Sequence, residues 1–64
     1  DLTKAIFDDS NLQGAVFQNS ILKEANLYSA QNFSIDPEVN MLKKAKFSKE
    51  GLPGLLEKYD IKIV

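Results

Sequence analysis

Histidine, cysteine and tryptophan do not occur in this 64-residue chain. Without cysteine there are no disulfides, no thiol nucleophile and no thiolate metal ligand, and the composition fits a cytoplasmic location. Without histidine the commonest general base and the commonest metal ligand are missing as well. No charge of one sign dominates: eight lysines face nine Asp and Glu, a net of −1, which leaves no basic footprint for nucleic acid. No apolar run approaches the roughly 20 residues that span a bilayer, and the sequence holds no signal-peptide pattern. The remaining polar groups do not assemble into chemistry. Asp8 and Asp9 are the nearest approach to a catalytic pair, but adjacent carboxylates in water are hard to tune for acid–base work. Gly51 and Gly54 flank Pro53 without the Lys-Ser/Thr of a phosphate loop. Asp36 and Glu38 lack the further oxygens of a calcium loop. No enzymatic activity, cofactor or metal is expected.

What is present is a period. Leu2, Phe7, Leu12, Phe17, Leu22 and Leu27 fall at every fifth position, and Ala5, Ser10, Ala15, Ser20 and Ala25 stand two places before the last five of them. A helix repeats near 3.6 residues and a strand at 2, so either would scatter these large residues over several faces. The chain must therefore turn a corner once per repeat, keeping each large residue on a common interior. Fixed-period self-similarity of this kind marks a solenoid.

The pattern A-x-F, S-x-L, A-x-F, S-x-L, A-x-L resembles the pentapeptide-repeat family, whose motif is roughly A-(D/N)-L-x-x. Asn11-Leu12 and Asn26-Leu27 match its second and third positions, whereas Ile6, Val16 and Ile21 depart from it. The resemblance runs unbroken over residues 2–31 and returns at Ala45-Lys46-Phe47. It implies an all-β fold, a right-handed quadrilateral β-helix with four pentapeptides per coil. The large residue and the small one two before it would face inward. The core ladder expected on that basis is Leu2, Phe7, Leu12, Phe17, Leu22, Leu27, Leu42 and Phe47, with Ala5, Ala15, Ala25 and Ala45 at the small sites. Leu2, Leu22 and Leu42 would form one column, and Phe7, Leu27 and Phe47 another. Outside, Lys4, Glu24 and Lys44 would stack with alternating sign, Lys23 would lie under Lys43, and Ile21 under Met41 beside Val16.

The 64 residues read as one domain in three segments. Residues 1–31 are regular coils. Residues 32–44 are an irregular coil or loop, where Asn32 and Pro37 fall on inward slots and Phe33 and Ile35 substitute for them. Residues 45–64 are a last rung, a capping helix and a terminal strand. Ser48 is a suitable N-cap, and Leu52, Leu55, Leu56 and Tyr59 share one helical face ended at Asp60. Residues 61–64 alternate as a strand. A helix there would cover the open edge of the coil. The opening in mid-repeat, at Asp1-Leu2, is expected of the C-terminal part of a longer solenoid.

The run Leu55 to Val64 resembles the C-terminal helix and strand of the Qnr-type quinolone-resistance members of that family. This implies a homodimer through the module, with Leu52, Leu55, Leu56, Tyr59, Ile61 and Ile63 as capping or dimer contacts. It also implies a protein partner that is a type II topoisomerase, DNA gyrase or topoisomerase IV, protected by DNA mimicry. The near-zero charge departs from a DNA mimic. The alternative is a structural solenoid with no topoisomerase contact. Direct nucleic-acid and membrane binding are not expected.

Overall fold

The computed structural model describes residues 1–64, and its organising feature is a return of the chain every 20 residues. Ile6 pairs with Asn26, Asn11 with Gln31 and Ile21 with Met41, each as a parallel bridge. Strand β1 (Asn26–Leu27) lies parallel to β2 (Lys46–Phe47), with Asn26 against Lys46 and Leu27 against Phe47. Every one of these pairs is separated by four pentapeptides. Backbone bonds follow the same rule: the Leu2 N–H donates to Ile21 C=O at 2.7 Å and the Leu22 N–H to Met41 C=O at 2.8 Å. The arrangement is of the β-helix type, a coil whose successive turns pair as parallel strands. Regular structure is sparse, with two strands of two residues each and one short helix, because each side is used up by its corners.

The corners explain the five-residue period. The N–H of Ala5 donates to Leu2 C=O, and the same i→i+3 bond recurs from Ser10, Ala15, Ala25, Ala30 and Ala45. The third turn residue is left-handed at Lys4, Asp9, Gly14, Glu24 and Lys44, with φ between 54° and 80°. That is the sign pattern of a type II turn. A left-handed residue other than glycine costs roughly 1–2 kcal/mol, least for Asn and Asp. Asp1, Asn11, Asn26 and Asp36 each accept, through Oδ1, from the N–H two residues on, at 2.9–3.1 Å, and of their corners only that of Asp1 holds a left-handed residue other than glycine, Lys4. This Asx bond preforms the corner, and it gives a physical reason for Asp or Asn just before the large residue.

One corner is built differently. Between Phe17 and Ser20 the turn bond is replaced by the Asn40 side chain from the coil above. Asn40 Oδ1 accepts from Ser20 N–H at 2.9 Å, and Nδ2 donates to the carbonyls of Phe17 and Asp36 at 3.0 and 2.9 Å. Asn40 is buried with its amide satisfied, so the polar group costs little where it stands.

The buried apolar residues are Leu22, Ala25, Leu27, Ala30, Phe33 and Ile35, all in the middle coil. Only that coil has protein on both sides. Phe7, Leu12, Phe17, Leu42 and Phe47 pack against it but remain half-buried, and Ala5 and Ala45 are half-buried too. The rings of Phe7 and Phe17 meet edge to face at 6.1 Å. Two expected core members lie outside: Leu2 is 36% exposed and Ala15 is exposed. Both belong to the first of the coils in residues 1–64, which is covered here on one face only. In the irregular segment Asn32 turns outward at φ 61° while Phe33 and Ile35 point in, so the core is refilled one residue late.

The cap also differs from a single helix. Ser48 accepts from Gly51 N–H and starts a 3-10 turn, Lys49–Gly51. Helix α1 follows at Pro53–Leu56, then a second 3-10 turn, Glu57–Tyr59, closed by left-handed Asp60. Pro53 supplies no N–H, which separates the first turn from α1. The two glycines exist for Phe33. A Cβ on Gly54 would lie 2.5 Å from the Phe33 carbonyl oxygen, and one on Gly51 3.0 Å from the ring. Gly54 C=O accepts from Ile35 N–H at 2.9 Å, and the Phe33 ring lies 5.5 Å from that of Phe47. The cap is thereby pressed onto the open end of the core. Residues 61–64 form no strand. No backbone hydrogen bond reaches them and all four are exposed, since no neighbouring strand runs beside them.

These placements rank three substitutions by thermal unfolding. Ala25→Leu and Gly54→Ala should each cost about 1–3 kcal/mol through overpacking, a fall of several degrees or more for a domain this small. Ala15→Leu should leave the midpoint nearly unchanged. Equal midpoints for Ala15→Leu and Ala25→Leu would contradict the burial assigned to the two coils.

Candidate functional site

No group of three or more carboxylates gathers in a metal-binding cluster, and the chain has no other strong ligands. Asp8 and Asp9 are both exposed at a corner, where the Asp9 N–H donates to Ser29 Oγ at 2.9 Å. What the fold offers is surface: the outer face of the coil, its corners, and the seam where the cap meets the coil.

The seam contains an open groove of about 550 Å³. Its floor is Phe33 and Gly54, and its charged lining residues are all acidic: Asp9, Glu50 and Glu57, beside the exposed Tyr28. On the other flank the cap is tied to the irregular coil by ions. Lys58 Nζ lies 3.0 Å from both carboxylate oxygens of Asp36 and 2.6 Å from Glu38 Oε1, and the Tyr59 hydroxyl donates to the same Glu38 oxygen at 2.9 Å. Lys58 Nζ also sits 5.3 Å from the centre of the Tyr59 ring. The turn bond from Glu38 N–H, then the Lys58 bond, lower the Asp36 pKa. The Lys58 and Tyr59 bonds lower that of Glu38. Hydrogen bonds to Glu38 and Asp36 raise Lys58, and the bond to Glu38 raises Tyr59.

The sequence-derived cap contacts divide. Leu55 packs on the core cluster and Leu56 is half-buried. Leu52 and Tyr59 are 44% and 47% exposed, and Ile61 and Ile63 are exposed, so these four do not serve as packing residues in the single chain. The broken helix accounts for Leu52 and Tyr59, because they lie on separate turns rather than one face. The expected outer columns do form: Ile21 bridges Met41, and Lys4 N–H and Glu24 N–H bond to the coils above them. The alternating column makes no ion pair, however, since both salt bridges in the molecule belong to Lys58.

Three contributors escaped the sequence reading. Asn40 stands in phase with the small sites, five residues before Ala45, and that misfit was its only signal. Gly54 figured in the sequence only as a glycine flanking Pro53, whereas its role is close approach to Phe33. Lys58 lies 20 residues beyond Glu38, the same coil spacing carried into the cap.

Comparison with known families agrees with the period. A family model described as pentapeptide repeats (8 copies) matches residues 1–31. No curated protein and no solved structure matches the chain. No helix is long and apolar enough to cross a membrane.

The ion cluster gives the cap a definite pH dependence. Asp36 and Glu38 are held below their ordinary values of 3.8 and 4.5, so their contribution is present above those values and is lost as pH falls through the lower folded ones. Lys58 and Tyr59 are held above 10.5 and 10.0, so theirs is present below those values and is lost as pH rises through the higher folded ones. The difference in thermal midpoint between the wild-type chain and Lys58→Met should therefore be largest near neutrality and shrink at both extremes. A difference that does not vary with pH would show that the cluster does not hold the cap.

Proposed function

Residues 1–31 belong to the pentapeptide-repeat family, and on that premise we propose that the chain is a non-catalytic repeat scaffold that binds another protein through its outer surface. The observation that carries this reading is a hydrogen-bonded ladder that holds exposed side chains in fixed columns. A rigid frame of this kind lowers the ordering cost of binding. Four five-residue sides per return, with the same corner at most of them, support the finer architecture of a right-handed quadrilateral tube.

The finer partner in this reading is a type II topoisomerase, DNA gyrase or topoisomerase IV, in a quinolone-protection role. Its support is the pattern of the C-terminal run. One observation favours the alternative, a structural solenoid without topoisomerase contact: four lysines share one side of the coil, the opposite of a phosphate-like surface. Supercoiling by purified gyrase, inhibited by a quinolone, separates the two. Recovery of supercoiling at near-stoichiometric chain supports the topoisomerase partner, and no recovery assigns the chain to the structural reading.

The same proposal includes a homodimer through the C-terminal module. Residues 61–64 support it, because their backbone groups are free and Ile61 and Ile63 are exposed. A two-fold contact would set this segment against itself. Sedimentation should show a dimer for the intact chain and a monomer for one ending at Asp60. Monomer alone at high concentration would remove the dimer and leave the cap in place.

A further inference from the structure

We infer that the side formed by residues 1–5, 21–25 and 41–45 is a docking surface for an acidic, partly apolar segment of a protein partner. The inference rests on the protein-binding reading above and names the side and the chemistry. Lys4, Lys23, Lys43 and Lys44 all stand on this side and all are exposed. None is paired, since the only salt bridges are those of Lys58. Lys23, Lys43 and Lys44 surround a shallow depression of about 240 Å³ in which Glu24 is the only carboxylate. Asp1, the other acid on this side, has its Oδ1 occupied by the N–H and hydroxyl of Thr3. The rest of the chain carries the compensating acids, so a net charge of −1 conceals a positive side.

Two further features point to a polypeptide. Ile21 pairs with Met41 directly along the ladder from the lysines, Met41 is 49% exposed, and Val39, 42% exposed, stands just before it on the adjoining side. A phosphate chain would leave that apolar strip unused, whereas an acidic segment with alternating apolar residues would cover both. The backbone carries the second feature. Left-handed residues elsewhere in the coil are Asp9, Gly14, Asn19 and Asn32, the types that adopt it most readily. The only long side chains placed there are Lys4, Glu24 and Lys44, all in the column on this side. Lysine at such a corner is displayed at the expense of an easier backbone. The frame is rigid through all three coils, by Lys4 N–H to Lys23 C=O at 2.8 Å and Glu24 N–H to Lys43 C=O at 2.9 Å. Charge complementarity then selects carboxylates as the occupant.

The test is an amide NMR titration of the full chain with a synthetic peptide of about ten residues in which Glu and Leu alternate. Lys–Leu and Glu–Ser peptides and an oligothymidylate serve as comparators. Shifts should cluster at residues 21–24 and 41–44. The triple variant Lys23→Glu, Lys43→Glu, Lys44→Glu should weaken binding about tenfold or more, and Met41→Ser by several-fold. Glu24 already occupies the same left-handed corner as Lys44, so the backbone accepts the reversal; the Gln triple variant, expected to give an intermediate loss, checks this. Shifts elsewhere, or an affinity unchanged by charge reversal, would overturn the proposal. Tighter binding of the oligothymidylate than of the Glu–Leu peptide would overturn it in favour of a phosphate surface. Binding of the Lys–Leu peptide at the acidic groove alone would overturn this side while the protein-binding reading stands. No response to any peptide would overturn both.

Discussion

The inter-coil hydrogen-bond ladder is the constraint on which the rest of this molecule depends. Each rung is worth only about 0.5–1.5 kcal/mol net, but the rungs are mutually conditional. A pairing between residues 20 apart fixes the length of chain in each return, and the turn bonds recur within it at five-residue spacing. Most corners place a left-handed residue at a fixed position, after a large residue and before a small one. Inserting or deleting one residue would turn the following side inside out, as a register slip does in a flat sheet. The irregular segment shows how narrowly the rule can be bent. The chain places Asn32 outside and Phe33 inside, yet Ile21 still meets Met41 and Leu27 still meets Phe47.

The covering of the core differs from coil to coil within residues 1–64. Burial is complete only in the middle coil, so a large share of the apolar interior faces an end. At the C-terminal end the answer is the cap. Phe33 reaches upward between Gly51 and Gly54, Ile35 donates its N–H to the cap, and Lys58 grips two carboxylates of the irregular coil. The irregular coil and the cap are thus one device: the residue that breaks the repeat is the residue the cap glycines accommodate. Asn40 serves the same region by closing a corner of the coil below.

The outside inherits its order from the inside. Because the ladder aligns residues 20 apart, charges scattered along the chain become columns, and columns become sides with distinct character. Lysines gather on one side, carboxylates line the groove beneath the cap, and the only ion pairs tie the cap down. Average charge therefore says little about what a partner would meet. A scaffold needs no more than this arrangement to be selective.

The five-residue period, the inward placement of Leu22, Ala25, Leu27, Phe33 and Ile35, though not of Ala30, and the 20-residue stacking were legible in the sequence by itself. Each is a local rule repeated: one corner, one large and one small inward residue, copied until the pattern cannot be chance. The sequence also determined the absence of cysteine and histidine chemistry, which needs no fold to state. The tertiary structure decided the rest. Leu2 and Ala15 have the same local pattern as Leu22 and Ala25, yet they are exposed while the other two are buried, because within residues 1–64 only the middle coil is covered on both faces. The predicted terminal strand has the right alternation but no partner to bond. Gly54 reads only as a glycine flanking Pro53 until Phe33 is seen against it, and Lys58 reads as solvated charge until two carboxylates are found within reach. Periodicity reports what each residue repeats. Burial, close approach and ion pairing depend on what lies one coil away, and beneath the cap that neighbour is not a repeat.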